Sequence, residues 1–218
     1  MNYKSDRFSR SFTGIGLALA WPDTYCKQAG AWYDFLMNKV GVARNNYYKV
    51  GHAALVLINK SDGLCYYYDF GRYHSPFGYG RVRSAYTDHD LTIPIQAQFD
   101  EGGNLSNLED IMLFLAGNPS CHGTGAVHAG WCELDFERAS AVAIALQRRS
   151  PIIYGPFVWG GTNCSRFVRT VLLAGQPNLL RYFRLLIPDT ISPTPLANVR
   201  AVGKVGSWVS KLVWTYAS

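Results

Sequence analysis

A chain of 218 residues with 48% hydrophobic and 17% charged residues can bury a sizeable core, and this composition excludes an intrinsically disordered polypeptide. Its net charge of +6 comes from dispersed Lys and Arg, with no basic run or nucleic-acid motif. That reads as a mildly basic surface, open to an anionic substrate but with no nucleic-acid partner expected. Five cysteines (Cys26, Cys65, Cys121, Cys132 and Cys164) are odd in number and irregularly spaced, so a disulfide framework is not expected and a reducing, cytoplasmic setting is favoured.

In chain order, residues 1–11 are polar. Lys4, Arg7 and Arg10 precede an apolar run from Gly14 to Trp21, and Ala18-Leu19-Ala20 resembles a cleavage site, which leaves export open. The run is short and glycine-punctured, so a buried strand over Gly14–Ala20 is preferred, and no segment is long enough to span a membrane. After a turn at residues 21–24, the spacing of Ala29, Trp32, Tyr33, Leu36 and Met37 predicts a helix over 25–39. Residues 45–49 read as a loop. Gly51 to Ile58 is a continuous apolar strand carrying one histidine, His52. Asn59-Lys60-Ser61-Asp62-Gly63 is a hairpin turn, and Leu64 to Phe70 returns. A Gly/aromatic loop fills 71–80. Short strands are expected at 81–83 and 88–95, and a short helix at 105–116. A Gly/His loop follows at 121–130, then a strand at 131–134. Asp135 caps a helix to Arg149 with Phe136, Ala139, Val142, Ala143 and Leu146 inward. A Pro-rich tail from Pro188 to Pro195 and an apolar end with Val205, Trp208, Leu212 and Trp214 close the chain. With no repeat and no domain boundary, the expectation is one α+β domain over residues 1–218, an antiparallel sheet with flanking helices, its terminal extensions packed on the core.

The stretch Tyr154 to Gly175 organises the rest. A Gly/Pro-broken loop leads into Thr162-Asn163, either of which can cap a helix. Phe167, Val168, Val171 and Leu172 then form an apolar stripe, stopped by Gly175 and Pro177. Cys164 therefore falls in a first helical turn, where free N–H groups and the dipole favour a thiolate. A buried structural thiol is the alternative reading, and Cys26 is a rival nucleophile near a predicted helix start. A cysteine nucleophile needs a base. His52, on a buried strand, is either a satisfied core histidine or that base. Across the hairpin, His52 faces a residue between about 69 and 73 by the period-two rule. Asp69 and His74 are thus both candidates to hold the second ring nitrogen, with Asp69 favoured.

These residues resemble a known family. Gly51-His52-x-Ala-Leu-Val on a strand, a hairpin back, and a later Asn163-Cys164-x-x-Phe167-Val168 helix start look like the circularly permuted papain-like (NlpC-type) superfamily. That group includes lecithin:retinol acyltransferase with its phospholipid-acting relatives, and bacterial peptidases and amidases. The order, His52 before Cys164, is that of the permuted branch. The two motifs lie within residues 51–172, and the polar residue usual after the His strand has no clear counterpart here. The resemblance implies a papain-like core, with Cys164 as nucleophile and His52 as base.

The activity so implied is a cysteine hydrolase of amidase or peptidase type, acting on an amide or ester through a thioester. The substrate would be a peptide, a peptidoglycan-like stem or a lipid ester. A catalytically inactive binding module on the same fold and a lipid acyltransferase are the alternatives. Arg72, Tyr73, Tyr79, Trp159 and Asn163 are the candidate substrate-binding residues, and the loops 71–80 and 121–130, with Phe77 and Arg81, are expected to flank the cleft. Arg72, Arg81 and Arg83 are candidates either for anion recognition or for pairing with nearby acids. Asp88 and Asp90 alternate on one face and read as solvated. Cys121, His122, His128 and Cys132 have partial zinc-like spacing, but adjacent Cys121 and His122 do not readily face one ion; no metal and no cofactor are expected.

Overall fold

The computed structural model describes residues 12–27, 43–44, 47–155, 158–187 and 192–209. Seven strands form one antiparallel sheet: β1 (Gly14–Trp21), β5 (His52–Asn59), β6 (Cys65–Gly71), β7 (Tyr79–Arg83), β8 (Val127–Leu134), β9 (Ile152–Ile153) and β10 (Lys204–Trp208). Their spatial order is β10-β8-β1-β5-β6-β7-β9. A second, three-stranded sheet is built from β2 (Tyr25–Lys27), β4 (Tyr47–Lys49) and β3 (Ala43–Arg44). The α-helices among the described residues are α1 (Leu108–Gly117), α2 (Phe136–Arg149), α3 (Cys164–Ala174), α4 (Leu179–Leu186) and α5 (Pro195–Val202).

β1 and most of β5 read as unbroken apolar runs because both faces of the sheet are covered. Ala53, Leu55 and Leu57 pack with Phe167, Val168, Val171 and Leu172 of α3 on one face. Ala54, Val56 and Ile58 pack with Ile111, Met112 and Leu115 of α1 on the other. Side-chain period two thus sends alternate residues of one strand into two separate cores. Each buried Leu, Val or Phe contributes about 1.5–3 kcal/mol, so the α3 stripe is a large part of what holds that helix on the sheet. The hairpin of β5 and β6 places Ala54 opposite Asp69 and Leu55 opposite Tyr68. β7 continues the meander with Arg83 opposite Asp69.

The helix ends follow from local chemistry. Asp135 accepts from the Arg138 N–H at 3.0 Å at the start of α2, and Arg148 and Arg149 sit at its negative end. Asn163 caps α3, accepting from the Arg166 N–H at 2.8 Å. Thr194 caps α5, whose first residue is Pro195.

Several expectations need correction. Residues 25–27 are strand β2 rather than the start of a helix, because they pair with β4; residues 28–42, including Ala29, Trp32, Tyr33, Leu36 and Met37, lie outside the described residues. Residues 47–49, expected as loop, form β4. No strand forms over 88–95, where a 3₁₀ turn at His89–Leu91 packs Leu91 and Ile93 under the sheet. The loop expected over 121–130 ends early, since β8 begins at Val127 by pairing with both β1 and β10. Leu179–Leu186, for which no element was expected, forms α4, and α5 follows the Pro-rich stretch. Residues 1–11, Leu212 and Trp214 are outside the described residues.

Among the described glycines, Gly130 allows the closest approach to another stretch of backbone. A Cβ there would stand 2.3 Å from the Val199 carbonyl oxygen and 2.8 Å from that of Gly203. Both obstacles are backbone, so neither can rotate away. Gly130→Ala is expected to push α5 off β8 and lower stability by about 1–3 kcal/mol, measured by chemical denaturation.

Candidate active site

The site assembles where β5 begins and α3 begins. Asn163 closes the loop onto α3, and Cys164 becomes its first residue with the thiol almost entirely buried. His52 is the first residue of β5 and is equally enclosed. The Cys164 thiol and the His52 imidazole are near enough to shift one another's titration strongly. The Ala53 backbone N–H and the Ser165 hydroxyl also face the sulfur, the latter at 4.0 Å. His52 and Asp69 occupy a diagonal across the β5–β6 hairpin, on one face by period two. The His52 Nε2–H donates to Asp69 Oδ2 at 3.3 Å. With Nε2 so engaged, Nδ1 is the nitrogen left for the thiol.

Asp69 is itself held from every side. Arg83, its direct cross-strand neighbour, donates through Nε at 3.0 Å. The Tyr67 and Tyr73 hydroxyls each donate to Oδ2 at 3.2 Å. Arg83 also donates to the Ser120 carbonyl at 3.0 Å and lies 3.5 Å above the Tyr73 ring. A buried carboxylate with this many donors is fully satisfied. Trp21, opposite His52 on β1, stacks on the imidazole with ring centroids 5.8 Å apart. The loop that follows the 3₁₀ turn at Pro119–Cys121 leans on Trp21 at Gly123, where a Cβ would clash with the indole at 2.2 Å. In the same loop His122 stacks on Tyr73, with centroids 5.1 Å apart.

The electrostatics favour an ion pair. Burial pulls the His52 imidazole down, but Asp69 and Cys164 outweigh it and leave it at about 9. Burial pushes the Cys164 thiol up, yet the His52 hydrogen bond and charge, with the Ala53 N–H and Ser165, bring it below its ordinary value. Burial raises Asp69, and His52 and Arg83 together hold it below the usual carboxylate range. The other described cysteine side chains move oppositely: burial pushes Cys65 up to about 11 and Cys121 and Cys132 up to about 12. Iodoacetamide at pH 6.5 is therefore expected to alkylate Cys164 ahead of these three. His52→Ala should slow that labelling at least about ten-fold by returning the thiol toward its ordinary range. Peptide mapping by mass spectrometry reads both results. The Cys26 side chain lies outside the described residues.

The other sequence candidates are distributed as follows. His74 is exposed, with φ of 46°, and makes no hydrogen bond to His52; Asp69 takes the position that both were candidates for. Tyr73 is turned onto Asp69 and His52 beneath His122 rather than left open as a cleft wall. Asn163 is the α3 cap and donates to Ser192 Oγ at 3.2 Å. Arg72 lies over the Tyr154 ring at 5.5 Å. Tyr79 is partly exposed at the β7–β9 edge, and Phe77 and Trp159 project into solvent, Trp159 98% exposed. Arg81 forks onto Asp88 at 2.7 and 2.6 Å, and Arg83 grips Asp69, so both pair with acids. Among the described residues no group of three or more His, Cys, Asp or Glu is placed to hold a metal ion. Sequence reasoning missed Trp21 and Tyr67, and it named His122 only as a zinc-like ligand and as part of the 121–130 loop. Tyr67 alternates with Asp69 on β6, a signal available once the hairpin register is known; Trp21 carries none.

The family model described as type VI secretion system effector TseH-like matches residues 16–179. The chain belongs to the TseH-like family. The matched span contains His52, Asp69 and Cys164. The search for similar curated proteins found no match. Among solved structures, the TseH-like chain resembles the crystal structure of the type VI secretion system effector TseH, with a TM-score of 0.56 and 19% identity over 88% of each chain. That likeness is one of fold, an α+β architecture around an antiparallel sheet. No helix among the described residues is long and apolar enough to cross a membrane.

Proposed function

We propose that this chain is a cysteine-dependent hydrolase of amidase or peptidase type on a permuted papain-like core, delivered as a type VI secretion effector. The observation that carries the reading is Cys164, at a helix N-terminus, electrostatically coupled to a neighbouring His52 that is held in turn by a buried, fully satisfied Asp69. The family supports the effector role. The Cys164 thiolate attacks a carbonyl carbon, and the Cys164 N–H, free in the first helical turn, receives the developing oxyanion. The protonated His52 gives its proton to the departing amine or alcohol, leaving a thioester on sulfur. His52, now neutral, takes a proton from water, and the resulting hydroxide equivalent releases the acid and restores the thiolate. Asp69 keeps the imidazole oriented with its proton on Nε2 while Nδ1 exchanges with the reacting atoms.

The test is to incubate the protein with peptide amides, including peptidoglycan stem peptides, and with activated esters, and to follow product and intact mass. A transient acyl adduct on Cys164 with cleaved product supports the reading. Alkylation of Cys164 without cleavage or adduct across amides and esters would sink it in favour of a binding module.

A further inference from the structure

Away from Cys164, α4 presents an apolar face with no described cover. Leu179, Leu180, Phe183 and Ile187 are each more than half exposed, Ile187 at 74%, while Leu185 alone on this helix is wholly buried. A groove of about 550 Å³ runs between α4 and α5, lined by Leu180, Phe183 and Ile187 from one side and Ala197 and Ala201 from the other. Arg184 and Arg200 line the same groove, and neither guanidinium has a carboxylate partner among the described residues. Charge is unevenly divided along the sequence: from Arg138 to Ser218 there are ten Lys or Arg and one Asp or Glu, against eleven and fourteen in residues 1–137. Basic residues are spread along the whole chain, and Asp189 is the one acid of its later part.

We infer that the α4–α5 face docks on an anionic phospholipid bilayer, with Phe183 and Ile187 entering the headgroup–acyl boundary and Arg184 and Arg200 reaching lipid phosphates. Outward-projecting apolar side chains beside unpaired arginines match what an amphipathic helix needs to lie in a membrane interface. A protein partner would answer individual arginines with individual acids. Arg184 and Arg200, set beside the exposed apolar side chains with no carboxylate partner among the described residues, complement a surface that is itself uniformly anionic. The inference is independent of the hydrolase reading, since none of Cys164, His52 and Asp69 lines the groove.

Co-sedimentation of the full chain with vesicles tests it, comparing phosphatidylcholine alone with an equal mixture of phosphatidylcholine and phosphatidylglycerol. Binding to the mixed vesicles only, released by raised salt, is the expected result. Arg184→Gln with Arg200→Gln should weaken partitioning more than ten-fold, at about five-fold per arginine. Phe183→Ser with Ile187→Ser should also release the protein. Both pairs change exposed side chains, so unchanged melting and unchanged Cys164 alkylation verify the fold; if the serine pair unfolds, the glutamine pair decides. Absence of binding to anionic vesicles, equal binding to neutral ones, or binding undiminished in the glutamine pair overturns the inference. So does a dimer in sedimentation velocity that the serine pair dissolves without any vesicle association.

Discussion

Cys164→Ala is expected to reduce turnover of an amide or ester by a factor on the order of 10⁶, as loss of a hydrolase nucleophile does, while leaving the melting temperature close to that of the parent. The two effects separate because the thiol contributes chemistry that no neighbour can replace. Its place in the core is small beside Phe167 and Val168, which pack beneath it. His52 retains Asp69 as a partner in the variant, so no unpaired buried charge is created. Cys164→Ser is the companion. The hydroxyl does not ionise in the range where the thiol does, and turnover should fall nearly as far with the packing preserved. Steady-state kinetics and thermal melting check both variants, and turnover surviving in Cys164→Ala would remove this thiol from the reaction.

Asp69→Ala is the change expected to damage the fold most, by about 3–5 kcal/mol, because it strips the carboxylate from a buried guanidinium and imidazole at once. Arg83 is 3% exposed, and the Tyr67 and Tyr73 hydroxyls lose the same acceptor. Asp69→Asn keeps the shape and removes the charge. Without that charge His52 should fall from about 9, and the Cys164 thiol should rise with it. The readout is the pH profile of Cys164 alkylation, whose acid limb should move toward higher pH, a shift that lost packing alone does not produce.

The same linkage fixes the pH dependence of stability. His52 is raised, so its contribution is fully present below about pH 6.5, its unfolded value, and is lost as pH rises through about 9. Asp69 is depressed, so its contribution is present above about pH 4 and is lost as acid protonates the folded carboxyl. Denaturation measured across pH should show a plateau between these limits.

Much of the site was legible in order along the chain. A cap followed by an apolar stripe at helical spacing is local information, and α3 begins where Asn163 says it should. The continuous apolar run at residues 51–58 was legible as a buried strand, and hairpin register brought Asp69 within two residues of its position opposite Ala54. The substrate-binding candidates fared differently. Tyr73 looks like an exposed recognition group by composition, and it is turned inward onto Asp69, beside an Arg83 that takes the acid-pairing role open to it. A side chain's direction at a strand or loop end depends on what packs above it, and residues far along the chain supply that cover.

By itself, the sequence determined the helix start at Cys164, the strand that carries His52, and the hairpin that returns Asp69, because capping, periodicity and turn chemistry act over a few residues. Tertiary structure alone decided that a thiol and an imidazole more than a hundred residues apart become neighbours. It also decided that Trp21, Tyr67 and Arg83 enclose the pair, and that residues 25–27 join a sheet instead of a helix. Those outcomes depend on which surfaces meet, and an unpaired buried charge or an unfilled ladder costs more free energy than local propensity can recover.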